Sequence, residues 1–463
     1  MNVIGLDIGT TTLSAVAVDS DTGALLETLS IPNGADLPAR MPGSRTQDPD
    51  RIAERALGLV DALKSRHEIA AIGIDGQMHG VLYTDCRGRA VSPLFTWQDQ
   101  RGAAKLEDAT YAEVLSRRTG RRVAAGYGMV THFWHVVNKC VPEGAKKLCT
   151  VYDYVGMKLT GRAEPLMHIS TAASLGLVNA GLDAWDLDAM ASAGIDAAIL
   201  PELTGDCTLI GETPEGIPAA CGIGDNQASF IGSVRDMSNT VLVNMGTGGQ
   251  ISMLAAGQTP TGDLEVRPLG GGQAIVVGSV LCGGRSYALL ERFLRSCAQL
   301  AGAGDAPLYE AMNRIALEML DDDALPVVDT RFSGTRALPE IRGSICGIGV
   351  DNFDAGRLIA GTILGMAREI HQLYRLMLTG KALPATALAG SGNAIRRNPA
   401  LKKAFENAFG MAMQIPAHKE EAAYGAALFA MTSAGIKASL ANAQKLIRYE
   451  GTDERERAGS RHF

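Results

Sequence analysis

One short pattern occurs twice, half a chain apart, and it restricts the fold more than any other feature. Val3-Ile4-Gly5-Leu6-Asp7-Ile8 reads as an apolar strand carrying one acid. Gly9-Thr10-Thr11-Thr12 follows as a tight turn, and residues 13–19 read as a second strand. Residues 240–245, the turn Gly246-Thr247-Gly248-Gly249 and residues 250–254 repeat strand, turn and strand, so Asp7-Ile8-Gly9-Thr10 aligns with Asn244-Met245-Gly246-Thr247. Such a repeat implies two domains of related architecture. Two copies facing each other would set both Gly-Thr turns on one cleft. The expected division is 1–236, 237–450 and a charged tail at 451–463, with the boundary near residues 233–239.

The rest of the pattern alternates strands with helices. After the turn Asp21-Thr22-Gly23 come a third strand at 25–31, a helix at 48–66 with Ile52, Ala56, Leu59, Val60 and Leu63 on one face, and a buried strand at 69–74. The second half predicts helices at 287–300, 308–320 and 353–378, a strand at 383–388, a helix at 399–409 and a small-residue helix at 420–432. An α/β fold of two or three domains suits 463 residues at roughly 100–200 per domain.

Composition narrows the function classes. The net charge is −7, and the only basic cluster, Arg117, Arg118, Arg121 and Arg122, reads as the solvated end of a helix, so no nucleic-acid partner is expected. No apolar run approaches the ~20 residues of a membrane helix, so no membrane partner is expected either. The N-terminus has no basic region, and Asp7 interrupts any signal-like core. A soluble cytoplasmic protein is the default reading. None of the eight cysteines forms a CxxC pair, which argues against zinc and for reduced packing thiols.

Six loops have a chemical reading. The turn Gly9-Thr10-Thr11-Thr12 lets backbone N–H groups and hydroxyls converge on an anion, and Asp7 at the strand end can hold Mg²⁺. Gly246, Thr247 and Gly248 offer a second anion turn. Asp225, in Gly222-Ile223-Gly224-Asp225-Asn226, reads either as a helix N-cap or as a general base taking a proton from a substrate hydroxyl. Gln77, Met78 and His79 between two glycines suit a grip on a polyhydroxylated ligand, although a lone His is more often simply a hydrogen-bonded residue. Trp97 and Asp99, in Thr96-Trp97-Gln98-Asp99-Gln100-Arg101, read either as a sugar contact or as a surface loop with one buried Trp. Gly390-Ser391-Gly392-Asn393 reads as a turn that could admit a nucleotide.

In this order the segments GLDIGTTTLSAVAVD, GQMHGV, WQDQR, DYV, GDNQASF, NMGTGG, GSGNAIRRNPALKKAF and EEAAYGAAL resemble the FGGY carbohydrate kinases, from Val3 to about Ala434. The resemblance implies an α/β chain of two actin-like, ribonuclease-H-like domains with an interdomain cleft. It implies transfer of a phosphoryl group from ATP, with Mg²⁺, to a small-molecule sugar. By motif, Asp225 falls on the catalytic base and Asp7 on the magnesium-associated acid, both near the metal. Gly9, Thr10, Thr11, Thr12, Gly246, Thr247 and Gly248 fall on the phosphate turns. Gly390, Ser391, Gly392, Asn393 and Arg396 fall where the family meets the nucleotide. Gln77, Met78, His79, Trp97, Asp99 and Asn226 fall on the sugar side. The Gln-Met-His loop resembles ketose kinases. WQDQR, GSGNA and GYGMVTHFW, where Thr131 replaces the family's usual lysine, are closer to the sedoheptulokinase group than to the xylulokinases. Rival readings are another ketose or polyol kinase, or a non-catalytic ATP or sugar sensor. A homodimer is left open.

Overall fold

The computed structural model describes residues 1–257, 262–336, 338, 340–379 and 383–451. It forms two compact units. The first takes Met1–Arg235, Arg267–Gln273 and Glu420–Ile447, and the second takes the described residues of 236–266, 274–419 and from Arg448 on. The expected tail, apart from Gly451, lies outside the described residues.

The first unit is organised by a sheet whose strands run, in spatial order, Leu209–Glu212, Pro218–Ala220, Ile69–Gly76, Asn2–Ile8, Thr12–Asp19 and Leu25–Pro32. Asn2–Ile8 pairs antiparallel with Thr12–Asp19 and parallel with Ile69–Gly76. A central strand covered on both faces must be apolar nearly throughout, and Val3, Ile4, Leu6 and Ile8 are fully buried. The helix Pro49–Lys64 starts where Asp48 caps the backbone N–H groups of Asp50 and Arg51, with Pro49 preset for the first turn. It buries Ile52, Ala56, Leu59, Val60 and Leu63, the face that periodicity assigns to it.

Bare backbone contact explains why Glu421–Ser433 belongs to this unit although it comes late in the chain. A Cβ on Gly5 would lie 1.7 Å from Ala423 O, one on Gly73 1.9 Å from Ala426 O, and one on Gly425 1.9 Å from Ala228 O. Glycine at these points lets the helix rest directly on the strands Asn2–Ile8 and Ile69–Gly76 and on the helix Asp225–Ser233.

The second unit repeats the plan. Thr240–Met245 pairs antiparallel with Gly249–Leu254 and parallel with Ala387–Ser391, and Gln273–Val280 and Met413–Gln414 lie beyond them. The equivalence read from the sequence is therefore one of sheet position: Asp7 faces Asp75 across the parallel pair of one unit, and Asn244 faces Ser391 across that of the other.

Several boundaries differ from expectation. The strand expected at 383–388 runs over Ala387–Ser391, because its pairing with Thr240–Met245 begins only at Ala387, and Leu383 is exposed. Gly390 and Ser391 are thus strand residues, not part of a turn. The helix expected from 287 starts at Gly283, and the one expected from 353 starts at Ala355, leaving Phe353 exposed. All eight cysteines are free; Cys149, Cys221 and Cys282 are buried, whereas Cys86, Cys140, Cys297 and Cys346 are exposed. Arg117 and Arg118 end the helix Tyr111–Thr119, Arg117 paired with Asp108 and Arg118 lying over the Phe133 ring. Among the described residues no helix is long and apolar enough to cross a membrane.

Candidate active site

Three carboxylates meet at the strand ends of the first unit. Asp7 is level with Asp75 in the parallel pair, and Ile223 is level with Asp75 on its other side, so the chain leaving Gly224 delivers Asp225 to the same edge. Asp225 is the first residue of the helix Asp225–Ser233; Gly224 occupies the cap position with no side-chain bond, so Asp225 is not the N-cap. Asp75 is fully buried, and no donor from another residue reaches either of its oxygens or Asp7 Oδ1. Asp7 and Asp75 interact across the strand pair, and that interaction favours the proton on Asp75. Burial, then the repulsion of neighbouring carboxylates, raises the pKa of both, with Asp75 held well above the usual range. Burial also pushes Asp225 up to about 6, partly countered by the Asn226 backbone N–H and the Arg267 guanidinium.

The first turn is tied to the neighbouring loops. Thr10 Oγ1 lies 3.1 Å from Gln77 Oε1 and 3.1 Å from Trp97 Nε1. Gln77 Nε2 reaches Gln47 Oε1 at 3.0 Å, and Gln47 Nε2 reaches the Thr10 carbonyl at 2.9 Å. Gly9 and Thr10 are half-buried, Thr11 and Thr12 exposed.

The expected sugar-side residues separate into two groups. His79, Trp97 and Asn226 keep solvent contact, while Gln77, Met78 and Asp99 are buried. His79 has φ 71°, a left-handed conformation that costs energy for a side-chain residue. Its Nδ1–H donates to Ser174 O at 2.6 Å, and its ring stacks on Tyr127 at 4.5 Å between centroids. Asn226 Oδ1 accepts from Arg267 Nη1 at 2.8 Å. Met78 packs against Gly224, beneath the start of the Asp225 helix. Asp99 does not offer a carboxylate to a ligand. Its oxygens accept from Arg101 Nε, Nη2 and backbone N and from Arg45 N, so it anchors the loop that carries Trp97. Thr131 is enclosed in the core face of the helix Gly128–Val137; within that segment it is Tyr127, stacked on His79, that reaches the site.

In the second unit Gly246 and Thr247 are exposed and Gly248 half-buried. The turn lies at the start of the helix Gly283–Leu300, where Gly284 N donates to Gly246 O and Arg285 N to Thr247 O. A Cβ on Gly283 would fall 2.4 Å from Gly248 C, so only glycine allows this approach. An anion turn backed by a helix N-terminus is a favourable place for phosphate. Gly392 (φ 87°) rests on Asn244 and Met245, and Asn393 is exposed at the head of the helix Asn393–Arg397. Arg396 bonds to the His418 carbonyl and to Glu450 within its own unit.

Asp75, Gln47, Tyr127, Arg267 and Gly283-Gly284 were not singled out from the sequence. Asp75 carried a signal, as an acid closing an otherwise apolar strand in the same Gly-x-Asp setting as Asp7.

Models of the FGGY family of carbohydrate kinases match residues 2–434 of this chain, the N-terminal domain over residues 2–243 and the C-terminal domain over 241–434. The chain belongs to the FGGY family of carbohydrate kinases. It is thus a phosphotransferase acting on an alcohol group, built from two actin-like, ribonuclease-H-like domains. A sedoheptulokinase from Homo sapiens is 28% identical over 92% of this chain and 96% of that protein. A xylulose kinase from Streptomyces rubiginosus is 26% identical over 92% of this chain and 86% of that protein. Among solved structures, xylulose kinase from Rhodospirillum rubrum superposes with a TM-score of 0.82 at 22% identity, covering 97% of this FGGY kinase and 93% of its own chain. Plasmodium falciparum glycerol kinase with ADP superposes at 0.80 and 18% identity, covering 99% and 96%.

Proposed function

We propose that this kinase transfers the γ-phosphoryl group of ATP to the terminal primary hydroxyl of a ketose, and that the ketose is sedoheptulose, giving sedoheptulose 7-phosphate. The observation that carries the chemistry is Asp225, whose burial lifts it to about 6. It is ionised at neutral pH yet more basic than an ordinary carboxylate, as a general base should be. The sugar docks on the first unit beside His79, Trp97 and Asn226. Asp225 takes the hydroxyl proton while the sugar oxygen bonds to phosphorus and ADP departs with the broken bond's electrons. Positioning and electrostatics carry most of such a reaction.

The residues present suit a magnesium nucleotide. Mg²⁺ usually takes one or two carboxylates together with phosphate oxygens and water, and Asp7 Oδ1 is a buried oxygen with no donor of its own. Asp7 and Asp225 are the side chains that would hold the ion, and ATP with Mg²⁺ would supply the transferable group and charge neutralisation. The turns at Gly9–Thr12 and Gly246–Gly248 would receive phosphates, and Gly392 and Asn393 the adenosine side.

The substrate choice leans on the likeness to sedoheptulokinase across 92% of the chain; xylulose is the second reading, favoured by the xylulose kinase relatives. The test is sugar-dependent ADP release with sedoheptulose, xylulose, ribulose, fructose and glycerol. A preference for sedoheptulose is expected. Preference for a shorter ketose would overturn the substrate and keep the reaction, and turnover with none would overturn the reading.

A further inference from the structure

A charged side chain that is only 6% exposed, Arg267, stands against the helix that carries the proposed base. Burying a guanidinium is costly unless its N–H groups meet acceptors. Arg267 Nη1 finds one on the sugar side, donating to Asn226 Oδ1 at 2.8 Å. The backbone behind it is tied to the same unit. Gln227 Nε2 donates to the Pro268 carbonyl at 3.2 Å, and Gly271 N donates to the Gly205 carbonyl at 2.8 Å. Consecutive residues, Arg267 and Pro268, thus hold consecutive amides, Asn226 and Gln227.

The polarity of the Arg267–Asn226 contact follows from residue chemistry. A guanidinium has donors and no acceptor, whereas a primary amide has an acceptor at one end and donors at the other. Facing a hydroxyl, an Asn could present either end. Facing Arg267 it has no such choice: the oxygen must meet the guanidinium, and Nδ2 is turned away from it. Turning the amide over would set N–H groups against N–H groups beside a positive charge. Gln227 is fully buried, but Asn226 keeps solvent contact and directly follows Asp225. Asp225 as a base accepts a hydrogen, and an Asn226 fixed in this sense donates one. The two together suit neighbouring hydroxyls, one read by its hydrogen and the other by its lone pairs.

We propose that Arg267 is a positioning residue that locks the Asn226 amide with its N–H groups toward the sugar, so that Asn226 recognises a lone pair on a sugar oxygen beside the reacting hydroxyl. This deepens, and rests on, the proposed docking of the sugar at Asn226 in the first unit.

The test is steady-state kinetics with whichever sugar the wild type prefers, at pH 8, well above the Asp225 midpoint near 6. Asn226→Ala should raise the sugar KM about tenfold, the size of one lost hydrogen bond, and leave the ATP KM within about twofold. Arg267→Met, which keeps the apolar stem and deletes the donors, should raise the sugar KM by up to the same factor with the ATP KM again unchanged. The Asn226→Ala/Arg267→Met double variant should be no worse than Asn226→Ala alone, because Arg267 acts through Asn226. An unchanged sugar KM in Arg267→Met, a fall in kcat alone, or multiplied losses in the double variant overturns the proposal. Thermal melts come first. Should Arg267→Met not fold, Asn226→Asp decides: it keeps an oxygen for Arg267 and exchanges the N–H groups for a second acceptor. A sugar KM raised about tenfold is then expected, and an unchanged one overturns the orientation. An unchanged sugar KM in Asn226→Ala, or a wild type that turns over no sugar, fails the docking reading itself, and this inference falls with it.

Discussion

Replacing Asp225 by Asn should make the protein more stable and inactive, and the stability gain should depend on pH in a defined way. Asp225 titrates near 6 in the folded chain, against an ordinary 3.8. Each pH step between those values represents about 1.4 kcal/mol of preference for the neutral form, so above pH 6 the charged carboxylate costs the folded state at most about 3 kcal/mol. The group keeps some solvent contact, which makes this an upper figure. The direction follows from proton counting. Below about pH 4 both folded and unfolded chains carry the proton, and the substitution changes little. Between about 4 and 6 the unfolded chain gives up its proton first, so wild-type stability falls as pH rises. Above 6 the loss is complete. Asn cannot ionise, so the gap between variant and wild type should open from pH 4 to 6 and level off at no more than about 3 kcal/mol, raising the melting temperature of the first unit by several degrees at pH 7.5. Calorimetric melts of both proteins across pH 4–8 measure it, with ATP binding and sugar-dependent ADP release followed in parallel. A gain that is absent at pH 7.5, or equally large at pH 4, would refute the burial argument. Near-normal turnover by the variant would refute the base assignment.

Further outcomes follow from the same geometry. Asp75→Asn imitates the protonated acid already present and should keep turnover within a few-fold, whereas Asp7→Asn should abolish Mg²⁺-dependent transfer; equal losses in an ADP-release assay would contradict the unequal roles. The acid limb of wild-type kcat/KM should fall with an apparent pKa near 6, because protonating Asp225 removes the base; a limb near 4 would count against it. Gly73→Ala places a methyl 1.9 Å from Ala426 O and should cost about 3 kcal/mol or more, read as a lower melting temperature or loss of soluble protein.

Much of the fold was legible because it is written in short-range pattern. The face of Pro49–Lys64 follows from the spacing of Ile52, Ala56, Leu59, Val60 and Leu63, and its start from Asp48 and Pro49. Asp7 was conspicuous as the one acid in an apolar strand, and the second strand–turn–strand announced the second unit. The ordered motifs were enough to indicate the family.

What the sequence withheld depends on which distant residues come level. Asp75 was passed over because an acid at the end of a strand has no meaning until parallel pairing sets it beside Asp7. Asp99 looked like a ligand because nothing local shows that Arg101 and the Arg45 backbone consume its oxygens. Gln47 and Gln77 come into contact only where two loops and a strand end close on Thr10. The elements, the duplication and the chemical identity of the acids are local properties of the chain, since periodicity, turns and composition act over a few residues. Which carboxylates come together and which polar groups are already paired emerges only in the folded chain, because register and burial are set by contacts between segments far apart in the chain.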